Sequence, residues 1–317
     1  MKTEKLDSEE LNLVRLAAEY SDETKARELL ESMRWPKGPV CPHCGNDGKA
    51  KPNSKLTAKP GSKSGVRPGV YFCGACRTQF TVKVGTIFED SHLPVSKWLM
   101  ALFIVCSSKK SISAHQLHRM LGITYKTAWF MAHRIRYAVS GTGDPKLTGT
   151  VEVDETFIGG KGDLQTRSKR KTPVVALVQR GGKMRTAVIA SVTQKNIGWA
   201  VNHMVDKSAV VNTDESPVYD KPLSKFEDHQ TVNHSKFEYA RPNADGSVSH
   251  VNSCESFFSL LKRGVQGAWH HVSREHLPKY AAEFEFRWNN RDMTDGERME
   301  QAVLKTEGKR LTYRQVA

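Results

Sequence analysis

Two sets of residues in this sequence are of a type and spacing that could do chemistry. Four cysteines stand in two pairs, Cys41 and Cys44 in "CPHCG" and Cys73 and Cys76 in "YFCGACRTQF". Each short turn aims two sulfurs at one point, and two such turns supply the four thiolates of a tetrahedral structural Zn²⁺. His43 stands between the first two and is read as a bystander. The second set is acidic. Asp154 and Glu155 break the apolar pattern of "VEVDETFI", Asp214 ends the short apolar run "AVVNTD", and Glu255 lies in "HVNSCESFFSLLKRGVQG". An unpaired carboxylate in a buried strand is costly, and coordination of a divalent cation such as Mg²⁺ removes that cost.

Strand and helix periodicity says which elements must carry the acids. Residues 149 to 193 read as three strands joined by turns at "GGKGDLQTRSKRK" and "GGK". A helix over "QKNIGWAVNHMVD", a short buried strand ending at Asp214, mixed strand and loop, and a long helical region from about Asn252 follow. That order predicts an α/β ribonuclease-H-like domain with a mixed sheet over residues 148–317, with Asp154 and Asp214 on neighbouring strands. In the helix from Asn252, Cys254, Phe257, Phe258 and Leu261 share the core side, while Asn252, Glu255, Ser259 and Lys262 share the other. Glu255 can complete a metal shell, Asn252 can offer a neutral oxygen, and Lys262 can contact a phosphate as a point charge. Glu155 is expected to support the site or to form a salt bridge. His234 and His250 are expected as phosphate contacts or structural groups. Arg287, Asn290 and Arg291 of "EFEFRWNNR" suit either DNA positioning or an intramolecular ion-pair network.

Ahead of that domain the sequence predicts three smaller pieces. Residues 1–36 form a helical segment in which Ser21 to Glu23 can cap the second helix, and residues 37–90 form the zinc ribbon, its knuckles helped by Gly45 and Gly74. Between the knuckles, "KAKPNSKLTAKPGSKSGVRPG" is expected as a solvated loop whose cations could track phosphates. Residues 91–147 carry "SISAHQLHRMLGITYKTAWFMAHRIRYAV", read as helix, turn at Gly122 and helix capped by Thr124, with Leu117, Leu121, Ala128, Met131 and Ile135 as core. This is a helix-turn-helix candidate. Its second helix offers Tyr125, Lys126, His133, Arg134 and Arg136 to a DNA groove and its phosphates.

Composition agrees with a polyanionic partner. Among 317 residues Lys and Arg number 48 against 34 Asp and Glu, a formal charge of +14. The longest apolar run, Trp98 to Cys106, is far below the roughly 20 residues that span a bilayer, and no secretory apolar segment opens the chain. A cytoplasmic, nucleoid-associated protein with reduced cysteines is expected.

In "RWPKGPVCPHCG", "YKTAWFMAHRIR", "VEVDETFIGGK", "VNTDE", "HVNSCESFFSLLKRGVQGAWHHVS" and "YAAEFEFRWNNR" the chain resembles bacterial insertion-sequence transposases that place a zinc ribbon ahead of an ISXO-type DDE domain. The resemblance implies a ribonuclease-H-like fold and catalytic Asp154, Asp214 and Glu255 holding two Mg²⁺ (or Mn²⁺) ions, followed by basic Lys262. Some relatives use Asn at the third place, which keeps Asn252 beside Glu255 as a candidate. It further implies double-stranded DNA as partner, both the element's terminal inverted repeats and its target. Hydrolysis at the element end would free a 3′-OH that joins the target by in-line transesterification, on at least a homodimer. Two other readings stand beside it: a ribonuclease-H-like nuclease without strand transfer, and a catalytically inert zinc-ribbon and helix-turn-helix regulator.

Overall fold

A computed structural model describes residues 11–57, 65–141, 144–160, 171–244 and 246–316. The expected hairpin turn at 161–170, the middle of the basic loop at 58–64, the first ten residues and the side chain of His234 lie outside that set. The chain divides into two compact units, residues 1–139 with 292–317, and residues 140–291.

In the first unit, helices α1 (Leu13–Glu19) and α2 (Glu23–Arg34) precede the cysteine module, and Asp22 caps α2 by accepting from the N–H groups of Thr24 and Lys25, both at 3.0 Å. Strands β1 (Asn53–Lys55), β2 (Val70–Cys73) and β3 (Gln79–Thr81) form an antiparallel sheet in the order β1-β2-β3. The basic stretch expected as loop throughout therefore supplies an edge strand at Asn53–Lys55, because the free edge of β2 offers ladder partners to any extended backbone. Trp35, Tyr71 and Phe80 pack as a cluster with ring centroids 5.6 to 5.8 Å apart, substituting for the core that such short strands cannot provide.

Helices α3 (Val95–Ser107), α4 (Ala114–Leu121) and α5 (Tyr125–Val139) follow. Gly122 ends α4 in the left-handed conformation at φ 57°, and Thr124 Oγ1 accepts the N–H of Thr127 at 3.2 Å to start α5. Leu117, Leu121, Ala128, Met131 and Ile135 are all buried, as their spacing predicts. The last helix of the chain, Asp295–Leu304, packs against α3, α2 and α5, and Arg298 donates to the Cys106 carbonyl at 2.9 Å. Residues 292–317 thus depart from the expected 148–317 domain, since their apolar face (Met299, Ala302, Val303) is buried within the first unit.

The second unit is built on a five-stranded sheet of β4 (Thr150–Gly159), β5 (Lys171–Gln179), β6 (Met184–Val188), β7 (Val210–Asp214) and β8 (Asp228–Val232). Its order is β6-β5-β4-β7-β8, antiparallel from β4 through β6 and parallel from β4 through β8. Helix α6 (Gln194–Met204) and the short α7 (Asp220–Leu223) cover one face, where Val151, Val153, Val211, Ile197, Val201 and Tyr219 meet. Helices α8 (Asn252–Gly264) and α9 (Leu277–Asn289) cover the other, where Val174, Ala176, Val178, Cys254, Phe257, Leu261 and Phe284 meet. The helix at Asp295–Leu304 is α10. Strands with apolar residues on both faces, such as β5, are what a sheet covered on both sides requires.

Candidate active site and metal centre

The four cysteine sulfurs converge. Cys41 and Cys76 Sγ lie 3.7 Å apart, Cys44 and Cys73 Sγ also 3.7 Å, and all four lie within 4.8 Å of one another. A tetrahedron of Zn–S bonds near 2.3 Å has edges of roughly 3.8 Å, so the quartet matches that ion. His43 is outside the group and exposed. The two knuckles repeat one hydrogen-bond pattern: Gly45 N–H to Cys41 O and Arg77 N–H to Cys73 O, each 2.9 Å. Gly45 and Arg77 hold the matching positive φ, at 74° and 60°. Gly74 serves differently from the expected turn role, because a Cβ there would sit 2.7 Å from the Pro52 carbonyl oxygen that its N–H bonds at 3.0 Å.

The acidic set sits on the second unit's sheet. Strand β4 pairs with β7 in parallel up to Glu152 opposite Asn212, and Asp154 and Asp214 each stand two residues beyond that last pair. Alternation puts Glu152 and Asp154 on the face under α8, while Glu155 points to the other face and accepts from the buried Tyr219 hydroxyl. On α8, Cys254, Phe257, Phe258 and Leu261 are buried, and Asn252, Glu255 and Lys262 are exposed. The helix therefore turns its expected core side onto β4 and β5 and leaves its expected polar side exposed.

Electrostatics ties these acids together. Burial pushes Asp154 up from its ordinary 3.8 to about 7, and the negative charges of Glu155, Asp214 and Glu255 push in the same direction against the Glu155 N–H bond at 2.7 Å. Burial likewise raises Glu155, with Asp214 adding to it against the Tyr219 hydrogen bond. The charges acting on Asp154 are all carboxylates, so the donor set suits a divalent cation. The acids are less tightly drawn than the thiols: among the described residues the cysteines are the group whose ligand atoms converge.

Lys262, two turns beyond Glu255, lines a cavity of about 620 Å³ together with Lys171, His270, His271, Arg274 and Phe157. The wall of this cavity turns where α8 passes into a π-helical segment at Val265–Trp269 and His270 takes φ 60°. Cations and an exposed ring in one concavity suit a phosphodiester chain.

Several residues fall away from the roles their types suggested. In α5, Tyr125 and Lys126 are exposed, Lys126 with its ammonium 4.6 Å from the Tyr313 ring centre. His133, Arg134 and Arg136 are buried, which corrects the expectation that they face a DNA groove. Arg134 donates to the carbonyls of Leu311 (3.1 Å) and Glu89 (2.6 Å) and stacks on Phe130, so packing satisfies its charge from inside. Arg287 is buried in an ion pair with Glu283, the intramolecular alternative, and Arg291 donates to Trp288 O at 3.0 Å. His250 lies with its Nδ1 3.1 Å from Glu152 Oε1. Sequence reasoning missed Glu152, Arg180 and Tyr219. Glu152 was findable as a second acid on Asp154's face, two positions earlier, but nothing local marks Arg180 or Tyr219.

Comparison with known proteins places this architecture. Residues 146–289 match the family model of the ISXO2-like transposase domain, and residues 21–79 match that of the transposase zinc-ribbon domain. The ribbon match includes α2, outside the expected 37–90. A Halobacterium salinarum protein described as an uncharacterized protein in transposable element ISH50 is 28% identical over 288 residues, 84% of this chain and 91% of its own length. A chain from the structure of a simian T-cell lymphotropic virus intasome in complex with PP2A regulatory subunit B56 gamma is 14% identical. That match covers 53% of this chain and 63% of the other, with a TM-score of 0.28, a superposition too loose to bear on the fold. In its domain content the chain is similar to the insertion-sequence transposases, with a match to a transposase zinc ribbon at residues 21–79 followed by a match to an ISXO2-like transposase domain at residues 146–289.

Proposed function

We propose that the protein is a DNA transposase that binds the terminal inverted repeats of its own insertion sequence, cuts the phosphodiester at the element end and joins the freed 3′-OH to target DNA. The observation that carries this reading is the acidic site: Asp154 and Asp214 on adjacent parallel strands, each two residues beyond the last paired position, with the helix that carries Glu255 fastened at its first turn to Glu152 of the same strand as Asp154. The sheet order β6-β5-β4-β7-β8 supports a ribonuclease-H-like catalytic fold, in which the central strand holds the first acid.

Asp154, Asp214 and Glu255 would hold the cations, with Asn252 at the start of the same helix as an alternative oxygen donor. Bound Mg²⁺ or Mn²⁺ would neutralise the carboxylates, activate the attacking oxygen and stabilise the leaving 3′ oxygen. Asp154, on the central strand and bonded by the Glu155 N–H, would be the first carboxylate to hold the cations. Lys262 and the cations of its cavity grip the phosphates on either side of the reacting one. The zinc ribbon and the exposed start of α5, with Tyr125 and Lys126, hold the flanking duplex. Two ends must be held together for joining, so a homodimer or larger assembly on DNA is part of the proposal.

The test uses duplexes carrying the inverted repeats read from the DNA that flanks the gene. Mg²⁺-dependent nicking at the element end that disappears in Asp154→Ala, with end binding retained, is the expected result. Preserved cleavage in that variant would overturn the assignment. A pre-cut end offered with target DNA separates transposase from simple nuclease, because a nuclease leaves the end unjoined.

A further inference from the structure

We propose that Glu152 is the positioning residue of the acidic site, pinning the helix that carries Glu255 and Asn252 to the strand that carries Asp154. This rests on the reading of that site given above. Glu152 is fully buried, at 0% exposure, two residues before Asp154 on the same face of β4. Its Oε2 accepts the backbone N–H of Ser253 at 2.8 Å, and its Oε1 accepts the Ser253 hydroxyl at 3.0 Å and Arg180 Nε at 2.8 Å.

Helix α8 has no side-chain cap of its own, since Val251 precedes it. Its first turn is capped instead by a strand residue 101 positions away in sequence. A carboxylate at that end also meets the positive pole of the helix dipole. Cys254 Sγ adds a contact to the Glu152 carbonyl at 3.4 Å, so consecutive residues of α8 are fastened to one residue of β4.

Arg180 extends the clamp. Besides Glu152 it donates to the carbonyls of His250 (3.1 Å) and Val248, which fixes the backbone entering α8. A fully buried carboxylate costs several kcal/mol unless its oxygens are satisfied. Here they are satisfied by groups whose placement sets where Asn252 and Glu255 stand relative to Asp154. The two acids on one face of β4 have split duties, one holding the helix and one facing the cation.

The test compares wild type, Glu152→Gln, Glu152→Asp, Glu152→Ala and Asp154→Ala as full chains. Mn²⁺ affinity is read by electron paramagnetic resonance, and deuterium uptake of the metal-free proteins is read in the peptide spanning 251–256. Gln keeps the length and the acceptor, so Mn²⁺ affinity within about threefold of wild type is expected. Asp is too short and Ala has no acceptor, so about 10- to 100-fold weaker Mn²⁺ binding is expected of both. Zinc content and the exchange of 257–264 in Glu152→Asp should stay near wild type, which general unfolding would not allow. Faster exchange in 251–256 alone, with 257–264 unchanged, is expected for Glu152→Ala.

Unchanged exchange in 251–256, or Mn²⁺ affinity of Glu152→Ala equal to wild type while Asp154→Ala has lost it, would overturn the proposal. If wild type and Asp154→Ala bind Mn²⁺ equally, the catalytic reading fails instead. The exchange measurement in metal-free protein still decides the role of Glu152.

Discussion

Cys41 and Cys76, 35 residues apart in sequence, hold their sulfurs 3.7 Å from one another, the edge length of a zinc–thiolate tetrahedron. Burial pushes the Cys41 thiol up to about 12, so at this cysteine the metal must displace a proton. Removing Zn²⁺ with a strong chelator, or replacing Cys73 by Ser, should collapse the β1–β3 module. The expected readouts are loss of one bound zinc per chain by atomic emission and a lower melting temperature. A chain that keeps its melting temperature after complete zinc loss would contradict the structural role.

The acidic site makes metal-free stability depend on pH. Asp154 in the fold keeps its proton up to about 7, whereas in the unfolded chain it releases it near 3.8. Its contribution is therefore complete below 3.8 and lost as pH rises through 7, by up to roughly 4 kcal/mol. Asp154→Asn should unfold at higher urea than wild type at pH 8 and at nearly equal urea at pH 4. Mn²⁺ should stabilise wild type at pH 8 and leave Asp154→Asn unmoved. Equal pH slopes for the two proteins would refute the account.

Basic residues of α5 divide into two groups with opposite consequences. Lys126→Ala and Tyr125→Ala remove exposed side chains and should weaken binding to end DNA several-fold without moving the melting temperature. Arg134→Ala deletes a buried guanidinium that bonds two carbonyls, and should cost about 2–4 kcal/mol of stability. Filter binding and thermal unfolding, run side by side on the three variants, check the division.

The cavity beside Lys262 is predicted to grip phosphates. Arg274→Ala and Lys171→Ala should each lower the slope of log affinity against log salt by about one while leaving sequence preference unchanged. An unaltered slope would remove the cavity from the DNA path.

How much of this could be read from the sequence differs by residue. The zinc quartet was legible because its geometry is local: each CxxC turn makes its own half-site. The α8 arrangement was legible because one helical period sorts Cys254, Phe257, Phe258 and Leu261 from Asn252, Glu255 and Lys262. The α5 basic residues were misread because charge alone says nothing of depth. His133, Arg134 and Arg136 share a helix that packs against α10 as well as α4, and Arg134 donates to the carbonyl of Leu311, 177 positions away. Glu152 went unnoticed for a similar reason, since its partners Arg180 and Ser253 are brought to it by strand pairing and helix docking.

The first compact unit is discontinuous: residues 292–317 complete what residues 1–139 begin, and the unit of 140–291 is inserted between them. During synthesis, the whole inserted piece is translated before the last helix that the opening piece needs. Helix α3 therefore waits with an uncovered apolar side until α10 arrives. A product stopped short of residue 292 would keep Asp154, Asp214 and Glu255 and lose the helix that completes the first unit, so a premature stop is expected to yield a chain whose first unit is less stable.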